Sequence, residues 1–408
     1  QMVHLGIDRI DYEMTGKKKM SVPALILLIF TDLSISLYTD VWLHEEWHRA
    51  VMGRRNIESN NGVYKYSSGN TIPVTDVEDR DLIRLKRDHP DEMVRLAAAG
   101  MEAQNELVLY LQRDIFIFRT PAVREIGSIA FNILNNVYYM QACSSKGADL
   151  QTVQMNFEDR SGENVRDFVG YDCNAWVYDL FRPEDPYEAR GKHPFGPGID
   201  RYIKFSDGYD PQTAIYNYLM YGNTTRNSDL TNRERKYLRK QYKLSYINLI
   251  NPALIGIGRF YNQFPLMNAK TEWTFSFAHY MAPFGYSVQG RLFIKFNDWN
   301  LVSVIHSYHN AGKNSGGFEI QIHRKKIKLK RRYFYAGGSL HGWSQPRDLL
   351  FWSNELREGG MIRLNGSFPL GKYLEISLEI TGKTPGWVPG SVYHNREAEF
   401  RAGINLIL

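Results

Sequence analysis

The sequence predicts an α+β protein in two parts, a mainly helical domain over residues 1–234 and an antiparallel β-domain over residues 235–408. From about residue 240, apolar and polar side chains alternate with period two, as β-strands require. Charge divides at the same place. Residues 235–408 hold 24 Lys and Arg against 10 Asp and Glu, whereas residues 1–234 hold 26 against 34. Such a difference indicates two regions with different surroundings.

The composition is that of a folded protein. Hydrophobic residues make up 43% of the 408 residues and charged residues 23%, which excludes a disordered chain, a collagen or a coiled coil. Two cysteines, Cys143 and Cys173, exclude a disulfide-rich scaffold and can form one bridge or none. The chain begins Gln1-Met2, and we interpret this start as the result of trimming, such as the removal of a signal peptide.

The most apolar segment runs from Val22 to Phe30 and continues less regularly to Leu43. Asp32 and Asp40 interrupt it, and a membrane-spanning helix needs about 20 largely uncharged residues. We therefore interpret this segment as a core helix of the N-terminal domain. The alternative, a true membrane span, would favour a protease of the inner membrane.

The C-terminal region shows the alternation repeatedly. In one segment the residues between the apolar positions are mainly polar. The residues on its apolar face are Tyr286, Val288, Gly290, Leu292, Ile294 and Phe296. Turn residues such as Asn314–Gly317 separate such segments. The pattern predicts roughly ten strands of roughly ten residues each, the length that a tilted membrane-crossing strand needs.

This region resembles an outer-membrane β-barrel, because its alternating faces, its aromatic residues near strand ends and its apolar last strand are typical of that family. The resemblance implies an apolar face toward lipid and a lumen filled with ion pairs. The residues expected there are Arg291, Lys295, Glu319, Lys328, Lys330, Arg332, Arg363, Glu375, Glu379, Glu399 and Arg401. The alternative is a soluble barrel or sandwich with its apolar face inside. The basic run His323–Arg332 alternates like a hairpin, which argues for a lumen face or lipid headgroups and against nucleic acid.

The N-terminal region contains a metal-binding motif. The segment His44-Glu45-Glu46-Trp47-His48 fits the pattern H-E-x-x-H. Residues four apart share one face of a helix, so His44 and His48 can bind one metal ion. Glu45, beside that face, can accept a proton from water as a general base.

A third ligand is expected from a later helix. Glu102 lies in a segment that begins at Pro90 and contains the small residues Ala97–Gly100, which allow close approach of another helix. A carboxylate among small apolar residues needs a partner, and a metal ion would supply one. Glu106, one turn later, is the alternative ligand.

The motif with a later glutamate resembles the gluzincin branch of the zinc metallopeptidases. The resemblance implies a Zn²⁺ ion held by His44, His48 and Glu102, with Glu45 as the general base. The segment around His44 is also similar to site-2 proteases, whose third ligand is an aspartate, but the chain has no matching Leu-Asp-Gly segment.

Together these features predict a zinc metallopeptidase anchored in the bacterial outer membrane, with its soluble domain facing the periplasm or the cell surface. The expected partners are a peptide or protein substrate, outer-membrane lipid and other outer-membrane proteins, with no nucleic acid. One alternative is a non-catalytic barrel subunit of a larger assembly, whose metal site is structural or lost. A lipid-modifying barrel enzyme is less favoured, because no convincing Ser, His and Asp set lies near the barrel rim.

Overall fold

The computed structural model of the chain describes residues 21–62, 74–118, 125–145, 171–187, 230–264, 269–329, 332–370 and 374–406, together with Ala122 and Ala148. Six α-helices precede the main sheet within these residues. They are α1 (Val22–Gly53), α2 (Asp79–Asp88), α3 (Pro90–Phe118), α4 (Ile126–Ser144), α5 (Asp172–Phe181) and α6 (Asn232–Ser245). Helix α6 crosses the predicted domain boundary at residue 234. Two short 3₁₀ turns, Tyr246–Leu249 and Pro252–Ile255, connect it to the sheet.

Helix α1 buries its polar side and exposes its apolar side. Ser21 caps its first turn by accepting a hydrogen bond from the backbone of Ala24. The buried residues include a stripe at every fourth position, namely Asp32, Ser36, Asp40, His44 and His48. Val22, Leu27 and Phe30 are 68%, 56% and 65% exposed. We predicted a core helix with its apolar side chains buried, but many of these side chains are exposed. By length and composition, α1 could cross a membrane.

The main sheet is an antiparallel meander of nine strands within the described residues, against the ten or so expected. The strands are β3 (Phe260–Phe264), β4 (Ala269–Ala282), β5 (Gly285–Phe296), β6 (Trp299–His309), β7 (Asn314–Leu329), β8 (Arg332–Pro346), β9 (Leu356–Pro369), β10 (Leu374–Lys383) and β11 (Glu397–Leu406). Each pairs with its neighbours in the chain, so β3 and β11 are the edges. The described hydrogen bonds do not close this sheet into a barrel. A separate pair, β1 (Asn60–Asn61) and β2 (Val74–Thr75), packs against α1.

The two faces of the sheet are inverted relative to a soluble sandwich. Its outward face is apolar and exposed, with cross-strand pairs such as Ile305 with Phe318 and Leu364 with Ile380. The opposite face includes polar side chains that are almost completely buried, among them Ser276, Gln289, Arg291, His306 and His341. The sequence prediction that charged residues line the inner side is confirmed for Arg291, which is 2% exposed.

The described residues of the basic segment His323–Arg332, which leave out Lys330 and Arg331, lie on two paired strands, as the alternation predicts. Strand β7 continues to Leu329, and β8 begins at Arg332 directly opposite it. Lys328 pairs with Tyr333 in the same ladder. The segment is therefore part of the sheet and not a separate basic arm.

Helix α3 packs against the inner face of the sheet and supplies hydrogen bonds to it. Asn105 donates to the carbonyl of His279, at 3.0 Å, and Gln112 donates to the carbonyl of Phe275, at 3.0 Å. Near its end, Phe116 meets Phe293 of β5 with ring centroids 5.8 Å apart. A single helix thus satisfies polar groups of the sheet at one level and fills space with an aromatic ring at another.

The cysteines form one bridge, which decides between the two possibilities that the sequence left open. Cys143 of α4 is bonded to Cys173 of α5, and both are buried. The bridge closes 30 positions of chain, including residues outside the described part. It joins the second residue of α5 to the last turn of α4.

Candidate metal centre

Two histidines of α1 and one aspartate of α5 meet at a single point. The carboxylate Oδ2 of Asp172 lies 3.1 Å from Nε2 of His44 and 3.4 Å from Nε2 of His48. The imidazole centroids are 5.0 Å apart, as expected for residues one helical turn apart. The predicted pair of His44 and His48 therefore does face one point, and the carboxylate that joins them there is Asp172.

His48 is oriented by the backbone of α3. Its Nδ1 donates a hydrogen bond to the carbonyl of Leu96, at 2.6 Å, which leaves Nε2 directed at Asp172. A metal-binding histidine commonly uses its second ring nitrogen in this way, because the bond sets the tautomer and the ring orientation. The bond is possible because α1 and α3 cross closely at this level.

Gly100 of α3 provides the space for His44. A Cβ atom at position 100 would lie 2.2 Å from Nε2 of His44, well inside contact distance. The small residues 97–100 were predicted to allow close approach of another helix. That helix is α1, and its His44 imidazole packs against Gly100.

Glu45, the predicted general base, lies beside the three-residue group. Burial raises the pKa of the Glu45 carboxyl above its ordinary value, and the charges of His44 and His48 act in the opposite direction. The adjacent residue of the motif contacts the small hairpin, because Asn61 donates to Glu46 at 2.9 Å. The sequence predicts a hairpin at 62–74, of which residues 63–73 lie outside the described part.

Glu102 is committed elsewhere in the structure. Its Oε1 accepts from Arg95, at 2.7 Å, and from the backbone of Gly390, at 2.9 Å, while Trp387 donates to Oε2 at 3.2 Å. Both Glu102 and Arg95 are fully buried. The structure does not bring Glu102 into the group around His44, because it joins α3 to the loop between β10 and β11 instead.

The alternative ligand Glu106 of α3 bonds to the sheet. Its Oε1 accepts a hydrogen bond from the hydroxyl of Tyr280, at 2.7 Å, and Arg291 in turn donates to that hydroxyl. Residues 102 and 106 lie one turn apart on α3 and both bond to residues of the C-terminal region. Helix α3 begins at Pro90 as predicted, but Glu102 and Glu106 bond to the C-terminal region and not to the histidines.

The charge balance of the site rests on Asp172. Burial acts to raise the pKa of this carboxyl, but the charge of His48 and the hydrogen bonds to His44 and His48 outweigh burial and hold the pKa well below its ordinary value. Asp172 is therefore an anion, the form in which a carboxylate binds a metal ion. Burial acts to lower the pKa of His48, but the charge of Asp172 and the hydrogen bond to it raise this pKa to about 9, so a metal ion would have to displace a proton from His48. No sequence motif marked Asp172, since 128 positions separate it from His44.

A second acidic group lies at the start of α3. His394 is 2.7 Å from Asp91 through Nδ1, and neighbouring Glu92 is within 2.9 Å of Arg54 and 2.6 Å of Arg55. The two guanidinium groups and the positive end of the helix disfavour a cation beside Glu92. Burial acts to raise the pKa of Asp91, but the hydrogen bond from His394 lowers it below the ordinary value. These contacts tie the loop between β10 and β11 to α3.

Comparisons of the chain with family models, with curated proteins and with solved structures find no match. What the site can do therefore follows from its own donor atoms. Two imidazole nitrogens and one carboxylate oxygen converge, and a second carboxylate stands next to them. This donor set suits a borderline metal ion such as Zn²⁺.

The substitution Gly100→Ala tests the close approach of α3 to His44. The new methyl group would occupy the position of the imidazole, so His44 must turn away, and we expect bound metal to fall well below one ion per chain. Gly53→Ala is the matched control, because a Cβ at position 53 meets nothing within 4 Å. Metal content after gel filtration measures both variants, and equal content in the two would contradict this geometry.

Proposed function

We propose that the protein is a zinc metallopeptidase of the bacterial outer membrane, with its catalytic site in the helical part and its anchor in the sheet. The observation that carries the proposal is the convergence of His44, His48 and Asp172 beside Glu45. Asp172 takes the place that the sequence prediction assigned to Glu102. The ligand set is then two histidines and an aspartate, which departs from the gluzincin pattern at the third ligand.

Two of the three distances between the donor atoms are compatible with a single zinc ion between them. Zinc bonds to nitrogen and oxygen of about 2.0–2.1 Å place neighbouring ligand atoms about 3.3 Å apart in a tetrahedron. Asp172 Oδ2 lies 3.1 Å and 3.4 Å from the two imidazole nitrogens, on either side of that value. Three protein ligands leave one position for water, as a catalytic zinc site requires.

In the proposed peptide hydrolysis, Glu45 transfers the proton. A bound zinc ion would supply a Lewis acid that makes water a better nucleophile at neutral pH. The carboxylate of Glu45 then removes the proton of the attacking water and passes it to the leaving amine as the peptide bond breaks. Glu45 follows His44 in the chain and interacts electrostatically with both His44 and His48, so one carboxylate can perform both transfers.

The inverted sheet supports the membrane anchor. Outward side chains such as Ile305, Ile362 and Ile404 are 67%, 56% and 74% exposed, and they form a continuous apolar face. An exposed apolar surface of that extent is costly in water and suits lipid. Closing the strands into a barrel would remove the unpaired edges at β3 and β11, which a bilayer does not tolerate.

Helix α1 also exposes apolar side chains. Its outward hydroxyl groups bond to carbonyls of their own helix, with Thr31 to Leu27 at 2.8 Å and Ser34 to Phe30 at 2.8 Å. Such side chains need no water partner and are compatible with an apolar environment. The lipid contact therefore includes part of the helical region. The bridge between Cys143 and Cys173 fits the oxidising surroundings of the periplasm or cell surface.

The non-catalytic alternative keeps the same architecture and gives the His44, His48 and Asp172 group only a structural role. In that case the imidazoles and the carboxylate would satisfy one another without a metal ion. The zinc content of the purified protein separates the peptidase from a subunit whose metal site is lost, and a peptide hydrolysis assay separates it from a subunit whose zinc is structural.

The variants Asp172→Asn and Glu102→Gln distinguish the two candidate third ligands. Asp172→Asn removes the anionic ligand, so we expect zinc content to fall several-fold or more. Glu102→Gln should keep its zinc and lose stability instead, because Arg95 is left buried without its carboxylate partner, at a cost of about 3–5 kcal/mol. Zinc content and the unfolding midpoint are measured for both. Zinc lost from Glu102→Gln alone would reassign the third ligand.

The variant Glu45→Gln tests the general base. An amide cannot take the proton, so hydrolysis of a peptide library should slow by about 10²-fold or more while zinc content stays at the wild-type level. Glu46→Gln is the control, since Glu46 bonds to Arg49 and Asn61 and takes no part in proton transfer. Wild-type turnover by Glu45→Gln would remove Glu45 from the proposed reaction.

The pair Ile362→Arg and Leu356→Arg tests the lipid contact of the sheet. Ile362 lies near the middle of β9 and Leu356 at its first residue, and both are exposed. In a bilayer, arginine costs about 2–4 kcal/mol at mid-depth and about 0–1 kcal/mol near the interface. Urea unfolding in lipid vesicles should show this difference. Two equally tolerated arginines, with a protein that stays monodisperse without detergent, would contradict a membrane location.

A further inference from the structure

A tyrosine of α4 holds the carboxylate that we assign as the third zinc ligand. The hydroxyl of Tyr139 donates to Oδ2 of Asp172, at 3.0 Å, and accepts a hydrogen bond from the backbone nitrogen of the same residue, at 3.1 Å. One hydroxyl thus bonds to both the side chain and the main chain of Asp172. This pairing fixes the side-chain torsions of Asp172 and directs Oδ2 at the two imidazoles.

The ring of Tyr139 is itself held in place. It makes an edge contact with the ring of His44, with centroids 6.1 Å apart, and another with Tyr171, at 5.4 Å. Tyr139 therefore touches one proposed zinc ligand through its ring and another through its hydroxyl. A change at Tyr139 reaches two ligands at once.

The disulfide bridge lies directly behind this contact. Cys143 follows Tyr139 by one turn of α4, and Cys173 follows Asp172 in the chain. The start of α5 is thus attached to α4 twice, by the hydroxyl of Tyr139 and by the bridge. Asp172 is the first residue of α5, so both attachments act at the ligand and not at the far end of its helix.

We propose that Tyr139 is a positioning residue for the zinc centre, and that it and the Cys143–Cys173 bridge together fix Asp172 at the metal. This inference rests on the proposed function, because it assigns a role toward a zinc ion held by His44, His48 and Asp172. Hydrogen bonds from outside the ligand set commonly contribute 10- to 100-fold, in order of magnitude, to metal affinity, since they orient the ligand before the ion arrives. Tyr139 would not contact the substrate in this role.

The variant Tyr139→Phe tests the hydroxyl while keeping the ring. We expect the dissociation constant for zinc, measured by competition with a chelator, to rise about 10- to 100-fold. We also expect the absorption spectrum of the cobalt-substituted protein to shift, because the carboxylate can then bind in another geometry. Tyr138→Phe is the matched control, because Tyr138 is the neighbouring residue and its side chain is 68% exposed. A purely structural role would instead lower the unfolding midpoint of the zinc-free protein and leave the affinity and the spectrum unchanged.

A double variant, Cys143→Ser with Cys173→Ser, tests the second attachment independently, and it should weaken zinc binding in the same direction. Wild-type affinity in both the Tyr139→Phe and the double cysteine variants would overturn the inference while leaving the peptidase proposal intact. A wild-type protein that binds no zinc would overturn both. Weakened binding in Tyr139→Phe with an unchanged zinc-free fold supports the positioning role.

Discussion

The close crossing of α1 and α3 is the constraint on which the rest of the structure depends. At this crossing His44 lies against Gly100, where no Cβ would fit, and His48 donates to the carbonyl of Leu96. Because both contacts use the main chain of α3, the positions of the imidazoles depend on how α3 is held. The helix is held by the sheet, through the hydrogen bonds of Asn105, Gln112 and Glu106. The candidate metal centre is therefore coupled to the C-terminal region, although none of the described residues of that region belongs to the metal-binding group.

The two parts of the chain share an arrangement in which apolar side chains face outward and polar ones face inward. In α1, as in the sheet, exposed side chains are largely apolar, and several polar ones face the interior. A buried polar group must find a partner, and the partners here lie on other helices, as when Asn132 of α4 donates to Asp40 at 2.7 Å. In the proposed membrane location the same arrangement would cost little, because lipid would meet the outward side chains. The proposed membrane location would thus account for both the polar stripe of α1 and the buried polar side chains of the sheet.

The C-terminal region also stabilises the start of α3 through a single loop. The loop between β10 and β11 brings Trp387 to Glu102 and His394 to Asp91. Arg95 and Glu102 form an ion pair with no exposure, which stabilises only while both members are present. The carboxylate that a motif search would assign to zinc is thus needed to hold helix and loop together. A carboxylate is thus a candidate metal ligand at Asp172, whose side chain is 28% exposed, and an ion-pair partner at Glu102, whose side chain is fully buried.

The sequence by itself determined the two-part α+β organisation, the alternating strands, and the helix with His44, Glu45 and His48 on adjoining faces. These follow from local periodicity, because a helix or strand face is set by residues a few positions apart. Tertiary structure decided the third carboxylate, since Asp172 lies 128 positions from His44 and meets it only when α5 packs on α3 and α4. It also decided which side of α1 is buried, and that Glu102 bonds to Arg95. Local spacing places side chains on a face, but the partner of that face depends on chain segments far away in sequence.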